Sequence, residues 1–272
     1  MTTTKQPLAG RIAVVTGASR GVGKGIALGL GEAGATVYVT GRSVDRGALP
    51  GTIGETAAEV TALGGRGIAV ACDHGVDAEV ARLFERVRAE QDGRLDILVN
   101  NAFAIPDGEL RRPFWQLPIE QWDVMHRVGL RSHYVAAWHA AQVMVGQRRG
   151  LVVNVSSFGA KIQAVNVAYG VGKAGVDRMT RDMGRELEAH GVAVVSLWPG
   201  IVKTERLLEE PDRLGFDLTN GESPLLSGRA VAALAGDDDV LGKTGKPHIV
   251  AELAVAYGFT EADGTLPASM RR

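Results

Sequence analysis

Tyr169 and Lys173 stand four apart in the run Tyr169-Gly170-Val171-Gly172-Lys173, downstream of the hydroxyl pair Ser156-Ser157 and of a glycine-rich turn over residues 16–23. On a helix, residues four apart share a face, so this spacing sets an ammonium beside a phenol and favours the phenolate. A free tyrosine titrates near pH ~10, and bringing it to ~7 takes roughly 4 kcal/mol. One charge about 4 Å away, at an effective dielectric of about 20, is worth roughly that much. The chemistry expected is proton donation by Tyr169 with Lys173 tuning it. Such a pair alone is common on solvated helix faces. The serines and the glycine turn are what point it toward reduction.

The turn reads Thr16-Gly17-Ala18-Ser19-Arg20-Gly21-Val22-Gly23 and opens a helix running toward Ala33. Its glycines let the backbone turn tightly and approach a pyrophosphate, and a helix N-terminus offers unpaired amides and the positive end of a dipole. Placed between a first strand and a first helix, it is a dinucleotide signal, although three residues separate the first two glycines where Gly-x-Gly-x-x-Gly has one. After the second strand, Arg42 stands where an NAD-dependent protein is expected to carry an acid on the ribose hydroxyls. A guanidinium forks onto phosphate, and Arg20 can approach the same group, so NADP(H) is expected over NAD(H); the alternative is that both are simply solvated. Asp73, after the third strand, is a candidate for the adenine amino group or an ordinary helix cap. Asn101, in Asn100-Asn101-Ala102, can tie neighbouring loops beneath the adenosine.

These groups need elements to hold them. Short β-branched runs at Ile12–Thr16, 36–40, 68–71, 95–99, 151–155 and Val192–Trp198 read as buried parallel strands. Between them run helical patterns such as Val80, Leu83, Phe84 and Val87, with Glu79, Arg82, Glu85 and Arg86 opposite. The expected fold is α/β, a Rossmann arrangement in one domain over residues 1–272, with a doubly wound sheet of seven parallel strands and helices on both faces. Residues 7–125 are expected to serve mainly the cofactor and 126–272 mainly catalysis and substrate. Residues 103–122, with Pro106, Pro113, Pro118, Phe114 and Trp115, read as an aromatic loop rather than a helix; 203–223, with Pro211, Gly215 and Gly221, read as a substrate flap. Subunit contact is the alternative use of both. The 272 residues carry 45% hydrophobic and 22% charged side chains at net charge −1, which gives no electrostatic reason for nucleic acid or an anionic membrane. Cys72 is the only cysteine, so neither an internal disulfide nor a thiolate metal cluster is available, no metal site is expected, and redox chemistry must come from a cofactor. The N-terminus lacks a signal-peptide core, and a cytoplasmic protein is expected.

In this order the residues resemble the short-chain dehydrogenase/reductase family across essentially the whole chain: Gly17/Gly21/Gly23, Asn100-Asn101-Ala102, Ser157, Tyr169/Lys173 and Pro199-Gly200. Gly41-Arg42, Val128-Gly129-Leu130-Arg131, the Tyr169 to Lys173 run and Ser196-Leu197-Trp198-Pro199-Gly200-Ile201-Val202 look more narrowly like its dehydrogenase/reductase member 1 subgroup, associated with NADPH-dependent reduction of steroid and xenobiotic carbonyls. The resemblance implies that Tyr169 protonates a carbonyl oxygen as hydride arrives at carbon, and that Ser157 hydrogen-bonds that oxygen. It further implies that Lys173 binds the nicotinamide ribose and Thr204 the carboxamide, with Pro199, Gly200 and Val202 beside the ring. Ser156 is the rival serine, since successive strand residues face opposite ways. A homodimer or homotetramer is implied. Two positions depart from the family pattern. Gly129 replaces an asparagine that distorts the helix before the fifth strand and holds a relay water; His126 and His133 flank it as candidate relay members. Phe103 replaces the glycine after Asn-Asn-Ala. Besides a small-carbonyl reductase or the reverse dehydrogenase, a catalytically impaired NADP-binding regulatory or scaffold protein and an extended epimerase or dehydratase compete. The last requires a larger C-terminal substrate region than the stretch after Pro199 offers.

Overall fold

The β-branched runs pair in register with one another, and their alternation decides which helix layer each strand face meets. In the computed structural model, which describes residues 6–210 and 215–271, β1 (Ile12–Thr16) lies between β2 (Thr36–Gly41) and β4 (Ile97–Asn100). Strand β3 (Arg66–Ala71) flanks β2, while β5 (Gly150–Val155), β6 (Val192–Trp198) and β7 (Pro247–Ile249) continue beyond β4. The order is β3-β2-β1-β4-β5-β6-β7, every pairing parallel. Relative to the sequence reading, β2 extends through Gly41, β3 begins at Arg66 and β4 starts at Ile97.

Side chains alternate across the pleat, so Ala13, Val15, Ile97, Val99, Val153 and Val195 face one layer and Ile12, Val14, Leu98, Val152 and Val194 the other. The first layer contains α1 (Gly21–Glu32), α2 (Ile53–Ala62), α8 (Pro224–Ala235) and α9 (Val250–Tyr257). The second contains α3 (Asp77–Glu90) and α5 (Ser132–Gln147), with α6 (Val167–Leu187) alongside. Helices α1 and α8 cross backbone to backbone. A Cβ at Gly228 would lie 2.0 Å from the Gly25 carbonyl oxygen, so only glycine permits that approach.

Two loops differ from expectation. Within 103–122, a 3-10 turn spans Phe114–Gln116 and α4 (Glu120–His126) begins before the stretch ends. Pro118 lies before Ile119, the N-cap of α4, and so interrupts none of the helix's own hydrogen bonds. Within 203–223, Thr204 caps α7 (Glu205–Glu209) and Val202 bridges Glu222; Pro211 lies outside the described residues. Between α4 and α5 the helix loses its regularity over Arg127–Arg131, with Val128 at φ −116°, ψ 90° and Gly129 at φ 148°, ψ −20°. The latter is a conformation that a side chain opposes.

Candidate active site

The carboxyl ends of the strands collect the chemistry. Gly17 follows β1, Arg42 follows β2, Asn101 follows β4, Ser156 follows β5 and Pro199 follows β6. In doubly wound sheets this is the edge where ligands gather. Gly17, Ser19, Arg20, Gly21, Val22, Gly23, Arg42, Asp73, Asn101 and Thr204 line a single cleft, together with Phe103 and Glu205.

The glycine turn is closed from below by Asn101, whose Nδ2 donates to the Thr16 and Gly17 carbonyls at 2.9 Å each, while Thr16 Oγ1 accepts from the Asn101 and Ala102 amides. Gly17 and Gly21 take positive φ of 66° and 58°. Arg20, the N-cap of α1, makes no side-chain cap. Its guanidinium instead donates to the carbonyls of Leu49, Pro50 and Gly51 and to Ser43 Oγ, pinning the loop after β2. Arg20 is therefore committed to protein acceptors rather than presented alone to a phosphate. Arg42 remains 72% exposed at the cleft, 3.9 Å from Asp73, whose Oδ1 also accepts from Gly75 N at 2.8 Å. Asp73 closes a turn; the N-cap of α3 is Val76. The Gly21 amide donates to the Glu205 carboxylate at 2.7 Å, so an anion supplied by the chain already sits at the start of α1.

The second group gathers on α6. Asn166 caps this helix, accepting from Tyr169 N at 2.9 Å while donating to Leu110 O, which fixes where Tyr169 enters. Ser157 Oγ lies 2.9 Å from Tyr169 Oη and accepts from Gly159 N. Ser156 is buried and donates to the Lys173 carbonyl oxygen, away from the phenol. Lys173 is buried, with Nζ donating to Val155 O at 3.0 Å and lying 5.8 Å from the Tyr169 ring centroid. Pro199, Gly200 and Val202 follow β6 outside that cleft; Glu222 N donates to Ile201 O and Lys203 N to Glu222 O. Phe103 connects the two groups. It lines the cleft and stands edge-on to Tyr169 at 5.8 Å between centroids.

Residues 11–213 match the family model of short chain dehydrogenases. The chain belongs to the short-chain dehydrogenase/reductase family. Over 272 aligned residues, it is 46% identical to dehydrogenase/reductase SDR family member 1 of Mus musculus, covering 95% of this chain and 85% of the relative. Among solved structures, a short-chain type dehydrogenase/reductase from Mycobacterium marinum is 27% identical with a TM-score of 0.78, covering 89% of this chain and 94% of that one. A metagenomic short-chain oxidoreductase in complex with NADP is 30% identical with a TM-score of 0.73, covering 89% and 97%. As a short-chain dehydrogenase/reductase the protein is an oxidoreductase acting on CH–OH or C=O groups, in a family that uses nicotinamide cofactors.

The electrostatics of this short-chain dehydrogenase/reductase site differ from the sequence expectation. Burial raises the Tyr169 pKa, and the Ser157 hydrogen bond opposes that rise. Burial also pulls Lys173 down to about 8, with Asp177 acting the other way. The estimate from spacing counted one charge and omitted the cost of taking both groups from water. His133 is fully enclosed, holds its ring against Ala102 O at 3.1 Å and is driven down to about 3 by burial and by Lys173, so it stays neutral. His126 meets Trp122 edge-to-face at 3.9 Å between ring centroids, its pKa lowered by burial. Neither histidine contacts Tyr169 or Lys173 through a described hydrogen bond. Sequence reading missed Glu205 and Asn166. The first carries no local signal, because its partner is 184 positions away; the second had one, an Asn three residues before Tyr169 at a helix start.

A helix of the length and apolarity needed to cross a membrane is absent among the described residues.

Proposed function

We propose that the protein is an NADP(H)-preferring oxidoreductase that reduces ketones or aldehydes to alcohols, or runs the reverse reaction. The observation that carries this reading is the 2.9 Å contact between Ser157 Oγ and Tyr169 Oη, with a buried ammonium on the same helix. Two hydroxyls at that separation can hold one oxygen between them.

The cleft fits a dinucleotide on its own evidence. The start of α1 offers a backbone amide that a carboxylate already occupies, so the position accepts anions. At Gly23 a Cβ would meet the Gly17 carbonyl oxygen at 2.3 Å, so glycine there lets the turn fold closely onto the head of α1. Gly17, Ser19, Arg20, Gly21, Val22, Gly23 and Asn101 would hold the phosphates and adenosine, and Asp73 the adenine. Arg42, exposed beside β2 with no acid in its place, supports the 2′-phosphate form, as does the NADP held by the metagenomic relative. Pro199, Gly200, Val202 and Thr204, with Tyr169 and Lys173, would hold the nicotinamide half. Once bound, that group supplies hydride to the carbonyl carbon.

The protein's own residues then manage the oxygen. Ser157 donates to it as negative charge develops, and Tyr169 transfers its proton, so that hydride plus proton convert C=O to CH–OH. Lys173 lowers the energy of the phenolate left behind. We assign residues 7–125 mainly to the cofactor, 126–272 mainly to catalysis and substrate, and 203–223 to a flap over the substrate. The exposed aromatic rings of Trp122, Tyr134 and Trp138 on α4 and α5 support a homodimer or homotetramer.

Purified protein is expected to consume NADPH with members of a panel of steroids, quinones, aldehydes and keto acids. Tyr169→Phe should abolish turnover while fluorescence titration still detects NADPH binding. Binding without turnover by the unaltered protein across that panel would favour the regulatory reading instead.

A further inference from the structure

An ammonium has three N–H bonds to satisfy, and a buried one is costly unless they find partners. Lys173 Nζ has one hydrogen-bond acceptor among the described residues, the Val155 carbonyl at 3.0 Å. Its nearest carboxylate by charge, Asp177 on the same helix, is engaged by Ser196 Oγ at 2.6 Å and Trp198 Nε1 at 3.1 Å. His133 on α5, whose pKa burial and Lys173 lower, is neutral; His126 on α4 packs on Gly172 with a lowered pKa, and Tyr169 presents its ring at 5.8 Å. The Phe103 ring lies nearer than the Tyr169 ring, with Nζ 4.9 Å from its centroid. That is within the range where an electron-rich face attracts a cation.

Phe103 reaches this place because the irregular turn ahead of α5 leaves a gap at Gly129. At Gly129 a Cβ would lie 2.5 Å from Phe103 Cδ2 and 2.8 Å from Cε2, so the ring occupies the volume a side chain at 129 would claim. The irregular turn also frees the Val128 carbonyl, which accepts from Ala104 N at 2.9 Å and anchors the loop carrying the ring. The two positions that depart from the family pattern are thus one packing unit.

We propose that Phe103 is a positioning residue whose ring face, set in the gap at Gly129, holds the Lys173 ammonium against the Val155 carbonyl. The inference rests on the reductase reading for its consequence in turnover, but not for its test. Removing the ring face while keeping apolar bulk leaves the ammonium less well solvated, so its proton is lost at lower pH.

The full-length, cofactor-free protein labelled with 13C at lysine Cε is titrated by NMR, with the Lys173 signal assigned by its loss in Lys173→Arg. Phe103→Leu should move the Lys173 midpoint down by about half to one pH unit, roughly a 3- to 10-fold change in proton affinity. Phe103→Tyr should leave it in place, and Phe103→Met repeats the comparison if the leucine variant is unfolded. An unchanged midpoint in Phe103→Leu and Phe103→Met, or an equal shift in Phe103→Tyr, overturns the proposal. Thermal melts supply a second arm: Gly129→Ala should cost less stability in a Phe103→Ala background than in the unaltered chain, and equal costs refute the shared volume. If the protein reduces carbonyls, the alkaline limb of kcat/KM should follow the NMR midpoint in each variant. If it reduces none, the reductase reading fails and the titration still decides the role of the ring.

Discussion

At the scale of single residues, the two serines after β5 show how far a one-residue shift reaches. Ser157 meets the phenol and Ser156 turns to the Lys173 backbone. Ser157→Ala should therefore lower kcat about 100-fold, the usual cost of removing one donor from a developing oxyanion. Ser156→Ala should change it little, and steady-state kinetics on any accepted carbonyl compares the two; equal losses would refute the assignment. Alternation along a strand made it legible that only one serine could serve. Which one depends on where β5 ends and on the turn that follows, and neither is written in the pair itself. Lys173 was legible as a neighbour of Tyr169 but its energetics were not, because burial is a property of the packed surroundings. Phe103 stood out only as an odd residue after Asn-Asn-Ala. Its partner at Gly129 is remote in sequence, and the contact exists only once the chain kinks between α4 and α5.

At the scale of elements, the strands were readable because buried parallel strands are short apolar runs, and six of them lay within a few residues of where the pattern put them. The seventh, Pro247–Ile249, is three residues long and too brief for any period to register. Helix α4 was hidden by Pro118, read as a breaker although a proline ahead of a first turn is compatible with a helix. The α1–α8 crossing was invisible for another reason: glycines in helices read as weak helix formers, and only their juxtaposition explains them. At this crossing Gly228→Val should force the backbones apart, at a cost of about 2 kcal/mol and a loss of roughly 5 °C in Tm. Differential scanning fluorimetry checks this, and an unaltered Tm would mean that the two helices can separate freely. Because α1 carries the glycine turn at its head, the same variant should bind NADPH more weakly.

At the scale of the whole molecule, the sheet brings residues from opposite ends of the chain to one edge, and Glu205 on the Gly21 amide is the plainest case. In the proposed function a cofactor phosphate belongs at that amide, and two anions do not share it. Glu205→Gln should therefore tighten NADPH binding by about 3- to 10-fold, the scale of one charge at a helix start. Calorimetry measures it, and an unchanged Kd would dissociate α7 from the cradle. The wider consequence concerns the sequence of events in a catalytic cycle. On the proposed function, a cradle that holds a placeholder is loaded by exchange: a nucleotide phosphate at the Gly21 amide would have to displace Glu205, and with it the head of α7 at the cleft entrance.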